Sequence, residues 1–166
     1  MFPPRLTLVA MKTSRSVVAD HVGDVSVVPL QLDRPSLLHL VSTTDTEEFR
    51  EALLQRKLPP EFEAKLSRLA AGDLLEQFVA QNCRTFFVLL LAVQGGSFED
   101  VSLAARERLL RVLAYVRKEE DAIADYKRGG FVDDLQEVRS ATADLNTLLQ
   151  TFKEWRLRHQ VPHLWT

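Results

Sequence analysis

The sequence predicts a mainly α fold: an antiparallel bundle of about five helices with a small N-terminal extended or β element. Three observations lead there. Capping residues recur just ahead of apolar stripes from about residue 45 onward, the connections between those stripes are short, and Pro3, Pro4, Pro29 and Pro35 all fall in the first 40 residues. The expected division is an arm with a short β element over residues 1–44 and a helical domain over residues 45–166.

In the arm, Val17-Val18, Val25, Val27-Val28, Leu30 and Leu32 place β-branched and alternating apolar residues between Gly23-Asp24, Pro29 and Pro35. That pattern suits short strands or a hairpin. The first helix is announced by Thr44 with Glu47 three residues later, a capping-box spacing, and must stop before Pro59-Pro60. Pro60 fits the first turn of a second helix, where its missing N–H costs nothing; Phe62, Leu66 and Leu69 then form its stripe, and Gly72 ends it. Asp73 with Glu76 repeats the cap signature. The third helix carries Leu74, Leu75, Phe78 and Val79 on one face, becomes apolar all round from Phe86, and ends at Gly95-Gly96, so it is read as the central, most buried element. Ser97 and Asp100 are read as opening the fourth, with Leu103, Leu109, Leu110, Leu113 and Val116 as its stripe. A last long helix is expected from Val132 to about His159, through Leu135, Val138, Leu145, Leu148, Leu149, Phe152 and Trp155, with Pro162 beyond it.

Composition narrows the function classes. Lys plus Arg number 21 against 23 Asp plus Glu, a net charge of -2, which argues against general nucleic-acid binding through the phosphate backbone. The longest apolar run, Phe86 to Val93, is far short of the roughly 20 residues of a membrane span, and Leu6 to Met11 is too short for a secretory h-region. A single cysteine, Cys83, allows no internal disulfide and no Cys/His metal framework, so a cytoplasmic location is expected and Cys83 reads as a small core residue. His21, His39, His159 and His163 lack metal-ligand spacing, and Gly95-Gly96 and Gly129-Gly130 lack the flanking residues of a phosphate loop. No nucleophile elbow occurs; neither a cofactor nor a small-molecule substrate is expected, and no catalytic residue is assigned.

The segment between the last two predicted helices concentrates Asp121, Asp125, Asp133 and Asp134. Carboxylates gathered this way can hold a divalent cation or supply a general acid, which makes the four a candidate metal site. The alternative is structural: Asp133 and Asp134 begin a helix, where they cap amides and complement the dipole, while Gly129-Gly130 makes a turn. At the other end, Phe152 to His159 mixes aromatic and basic side chains, so Trp155, Arg156 and Arg158 are candidate partner-binding residues, against the alternative of a tail folded back over its tryptophans.

Asp121-Ala122-Ile123, Asp125 and Gly130-Phe131-Val132-Asp133-Asp134-Leu135 together resemble the signature of the YkvA-like helical family of unknown function. Ala124 departs from it, standing where that family has proline. The resemblance implies a helical fold; membrane-associated relatives in that group imply peripheral membrane attachment as one further reading. In the arm, Leu6 to Arg15 is an extended, β-prone stretch of the sort a protease binds, with Ala10-Met11-Lys12 at its centre. It resembles the processed junction in the protease-substrate protein of CRISPR type III-E systems. That resemblance implies cleavage at Met11-Lys12 by a caspase-like protease partner in antiviral defence, with this chain the C-terminal part of a longer protein. A plain N-terminal strand is the alternative. The function expected from these readings is a non-enzymatic interaction or regulatory domain; its competitor is a metal-dependent enzyme built on the aspartates.

Overall fold

The structure, a computed structural model, describes residues 35–118 and 131–159. By contacts the chain divides into two units, residues 1–31 and 32–166, and every described residue belongs to the second. The expected strands of the arm, and Met11 and Lys12 with them, lie outside the described residues.

A 3-10 turn, Leu38–Leu40, leads into six α-helices: α1 (Thr43–Leu54), α2 (Pro60–Ala70), α3 (Leu74–Gln94), α4 (Leu103–Arg117), α5 (Val132–Asp144) and α6 (Asn146–Arg158). The fold is mainly α, and no strand occurs among the described residues. Helix α3 is the central element, packed by α2, α4 and α5, while α1 lies on α4. Its middle explains the placement: Phe86 through Leu91 are all buried, so no face of that stretch is free to meet water. In α2 the stripe Phe62, Leu66 and Leu69 is buried as its spacing predicts, and Phe62 meets Phe49 of α1 edge-on with ring centroids 5.3 Å apart.

The helix starts show how local chemistry chose among close alternatives. The capping box of α1 is Ser42 with Asp45, not Thr44 with Glu47: the Asp45 amide donates to Ser42 Oγ at 3.2 Å and the Ser42 amide donates to Asp45 Oδ2 at 2.8 Å. The helix therefore starts inside the span assigned to the arm. Glu47 pairs instead with Arg50 along the helix surface. For α3 the expected box holds, with Asp73 accepting from the amides of Leu75 and Glu76. Helix α4 opens later than Ser97 or Asp100; Ser102 is its N-cap, accepting from the Ala105 amide at 3.1 Å. The delay has a cause in the core. Gly96 takes a φ of 68°, the Ser97 and Phe98 amides turn back onto the Ala92 carbonyl, and Phe98 is thereby swung inward against Phe152 and Trp155.

The single long terminal helix is two. Leu145, at φ -105° and ψ 18°, separates α5 from α6. Thr142, Asp144, Asn146 and Thr147 are weak helix formers, and the Thr142 hydroxyl donates to the Val138 carbonyl at 2.7 Å, a back-bond that bends helices. Beyond the bend α6 buries only Phe152. Two expected stripe positions also face water: Leu74 is 82% exposed and Leu103 80%, each at the first residue of its helix.

Candidate functional site

A set of buried ionisable groups lies inside the bundle, on α2, α4 and α5. Lys65 is the one polar member of the buried face of α2, which otherwise presents Phe62, Leu66 and Leu69. Its ammonium Nζ lies 2.8 Å from Asp134 Oδ2, and the two side chains are 1% and 0% exposed. The same ammonium donates to the carbonyl of Lys118, the C-cap of α4, at 3.1 Å. One residue before Asp134, Asp133 accepts from the buried Tyr115 hydroxyl at 2.8 Å. One helical turn after Asp133, Glu137 is fully buried and accepts from the Leu37 amide at 2.6 Å and the Ser36 hydroxyl at 3.0 Å.

Each of these charges is held by geometry that its own element imposes. Asp133, Asp134 and Glu137 fall at the start of α5 on the side that turns inward with Leu135 and Val138. Tyr115 comes from the last turn of α4, where the stripe Leu109, Val112, Leu113 and Val116 is buried. An uncompensated charge at such depth would cost several kcal/mol, which is why the carboxylates and the ammonium meet. Cys83 lies near the same cluster. Burial foremost, and then the negative charge of Asp134, push its thiol well above the ordinary range against the smaller opposing influence of Lys65. A thiol so placed is not a nucleophile, in keeping with its reading as a core residue.

Two of the four aspartates can be placed. Asp133 and Asp134 occupy the first turn of α5, as the helix-start reading expects, while the N-cap position itself is Phe131. Both are buried, bonded to Tyr115 and Lys65. Asp121 and Asp125 lie outside the described residues, and among the described residues no cluster of three or more potential ligands could hold a metal ion. Sequence reasoning missed Lys65, Tyr115 and Glu137. Lys65 had a legible signal, a lysine three residues after Phe62 and four before Leu69 on one apolar stripe. Glu137 had none, because its partner Ser36 is 101 positions away.

At the outer end of α6, Trp155 is half-buried, stacked against Phe152 with centroids 5.6 Å apart and against the His159 ring at 4.8 Å. Arg156 is partly covered, and Arg158 and Leu157 face solvent, Leu157 being 74% exposed. The tryptophan anchors the helix inward; the remaining candidate contact residues stay near or at the surface.

A second polar assembly sits at the surface around Arg117. Its guanidinium lies over the Phe49 ring at 5.7 Å, pairs with Glu48, and lies 3.6 Å from Glu61, while neighbouring Lys118 reaches Asp45 at 2.8 Å. Glu48, Glu51, Glu61 and Arg117 line an open groove of about 420 Å³ between α1 and the start of α2. The cations are already matched by carboxylates there. No helix among the described residues is long and apolar enough to cross a membrane.

Fold and site together define a mainly α-helical domain with buried, paired ionisable groups in its interior. Comparison of the chain with protein-family models, curated proteins and solved structures finds no match.

Proposed function

We propose that this chain is a non-enzymatic interaction domain, a helical body that docks a protein partner. One observation carries the reading: Lys65, Tyr115, Asp133, Asp134 and Glu137, the groups best suited to acid–base chemistry, are all at most 3% exposed and bonded to other protein atoms. Side chains at that depth offer almost no surface to a substrate. Charges spent on holding helices together belong to a scaffold. Against the metal-enzyme alternative, the Lys65 ammonium stands 2.8 Å from Asp134, where a cation would meet it; Asp121 and Asp125 lie outside the described residues.

The resemblance to the YkvA-like family is compatible with this role. Its double aspartate is, in this chain, the acidic half of a buried lock, which supports reading that signature as structural. The more specific proposal makes the chain the substrate of a caspase-like protease that cuts at Met11-Lys12, the body serving as dock and the arm as the presented segment. Its support is the Ala10-Met11-Lys12 resemblance. Binding through the body would raise the effective concentration of the arm at the protease, so affinity and bond choice reside in different places.

The test is digestion by the activated protease, with the cut mapped by mass spectrometry. Wild type should be cut after Met11, Met11→Asp with Lys12→Asp should resist with an unchanged melting temperature, and Arg158→Glu with Leu157→Asp should slow cutting by weakening docking. Equal cutting of all three proteins refutes the protease-substrate form.

A further inference from the structure

Residues 35–41, the strap that precedes α1, are held largely by their main chain. Four side chains from α4 and α5 reach main-chain atoms of this short stretch. Arg111 donates to the Leu38 carbonyl at 2.7 Å, Glu137 accepts the Leu37 amide at 2.6 Å, and Gln136 and Lys118 donate to the carbonyls of Pro35 and Leu40, each at 3.4 Å. The Ser36 hydroxyl adds a bond to the second oxygen of Glu137, and Leu38 and Val41 are buried.

Core segments are normally held by their apolar side chains, with the backbone bonded within its own element. Here a fully buried carboxylate and a guanidinium read an amide and a carbonyl of a segment that has only one 3-10 turn of its own. Receptors that hold a peptide by its main chain work in this way: main-chain bonds supply sequence-independent grip, and pockets for particular side chains supply selectivity.

We propose that the α4–α5 face beneath residues 35–41 is a peptide-binding groove, filled in cis by the chain's own strap and open in trans to a segment with a small hydroxyl residue followed by two aliphatic residues. The hydroxyl meets Glu137, the next amide meets its other oxygen, and the second aliphatic side chain takes the seat of Leu38. Cis occupancy lowers the apparent affinity for a peptide by the fraction of time the strap is away. Releasing the strap therefore switches the groove on. The inference rests on the docking reading above and names the class of partner.

The experiment uses the full chain and a fluorescent peptide with the sequence of residues 33–42. Leu38→Asp unseats the strap without altering a groove residue, and Leu37→Pro is a milder release that deletes the amide held by Glu137 together with the half-buried Leu37 side chain. Circular dichroism checks that each is folded. Either folded variant should bind the peptide at least about tenfold more tightly than wild type. A peptide carrying N-methyl-leucine at the Leu37 position should lose about tenfold or more, having no N–H for Glu137. Equal binding to wild type and folded variants, no binding to a folded variant, or full affinity of the N-methyl peptide overturns the proposal. So does unfolding of both variants, because a strap whose loss melts the body is core and not ligand. Such a failure is distinguishable from failure of the docking reading, which is tested by cleavage and at the α6 end.

Discussion

Lys65 joins two helix ends at once. Its ammonium lies 2.8 Å from Asp134 in the first turn of α5 and 3.1 Å from the carbonyl of Lys118 at the end of α4. A residue of α2 therefore ties together the two points between which the chain runs from α4 to α5.

Breaking that pair should be costly and asymmetric. Lys65→Met leaves Asp134 buried without its ammonium and is expected to cost about 3–5 kcal/mol in urea unfolding. Lys65→Met combined with Asp134→Leu should recover more than half of the loss, because an apolar pair carries no desolvation penalty. A single-variant cost below about 1 kcal/mol would contradict the assignment of this pair as a buried lock.

Acid should remove a stabilising contribution made by Asp45. Burial alone would raise its carboxyl, but hydrogen bonds from Lys118 and from the Ser42 side chain and amide, with the Lys118 charge, outweigh that and hold it at about 2, below its ordinary 3.8. Since the folded value is depressed, the stabilisation is present in full above about pH 4 and is lost as pH falls toward 2. These groups are near the surface, so screening leaves on the order of 1 kcal/mol. The stability gap between wild type and Asp45→Asn, measured by denaturant titration, should be constant from pH 5 to 7 and narrow below 4. A gap that does not change with pH would refute this account.

Arg56 pays a backbone penalty that glycine would not. It follows α1 with a φ of 54°, a left-handed conformation, while the Lys57 amide turns back to the Ala52 carbonyl at 3.0 Å. Arg56 is exposed and closes none of the ion pairs described above. Arg56→Gly should raise stability by about 0.5–1 kcal/mol, less than the full left-handed strain because glycine also frees the unfolded chain. Thermal unfolding checks the sign; a lower melting temperature would count against it.

Cys83 should be silent until the chain opens. It is fully buried and its thiol is pushed well above the ordinary range, so alkylation at pH 8 should proceed only through the opened chain. Lys65→Met should accelerate labelling about tenfold for each 1.4 kcal/mol of stability it loses. Rapid labelling of folded wild type would show that the α2–α3 face is open to solvent.

Much of the helical skeleton was legible in the sequence, since it depends on neighbours. Asp73 with Glu76, Pro60 at a first turn, and the Phe62-Leu66-Leu69 stripe each act within one or two turns and appear as read. Misplacements occurred where local signals competed: two capping spacings lay two residues apart at α1, and Ser97 yielded to Ser102 once Phe98 was drawn into the core. The bend at Leu145 was hidden because the apolar spacing continues through it.

The sequence by itself determined that this is a mainly α-helical chain with a central apolar helix, because periodicity and capping are properties of adjacent residues. Only the tertiary structure decided what its charges do. Nothing in the local pattern links Lys65 to Asp134 or Ser36 to Glu137; those pairs exist because packing the helices removes water from Lys65, Asp134 and Glu137, and a charge without water must find a partner across the chain.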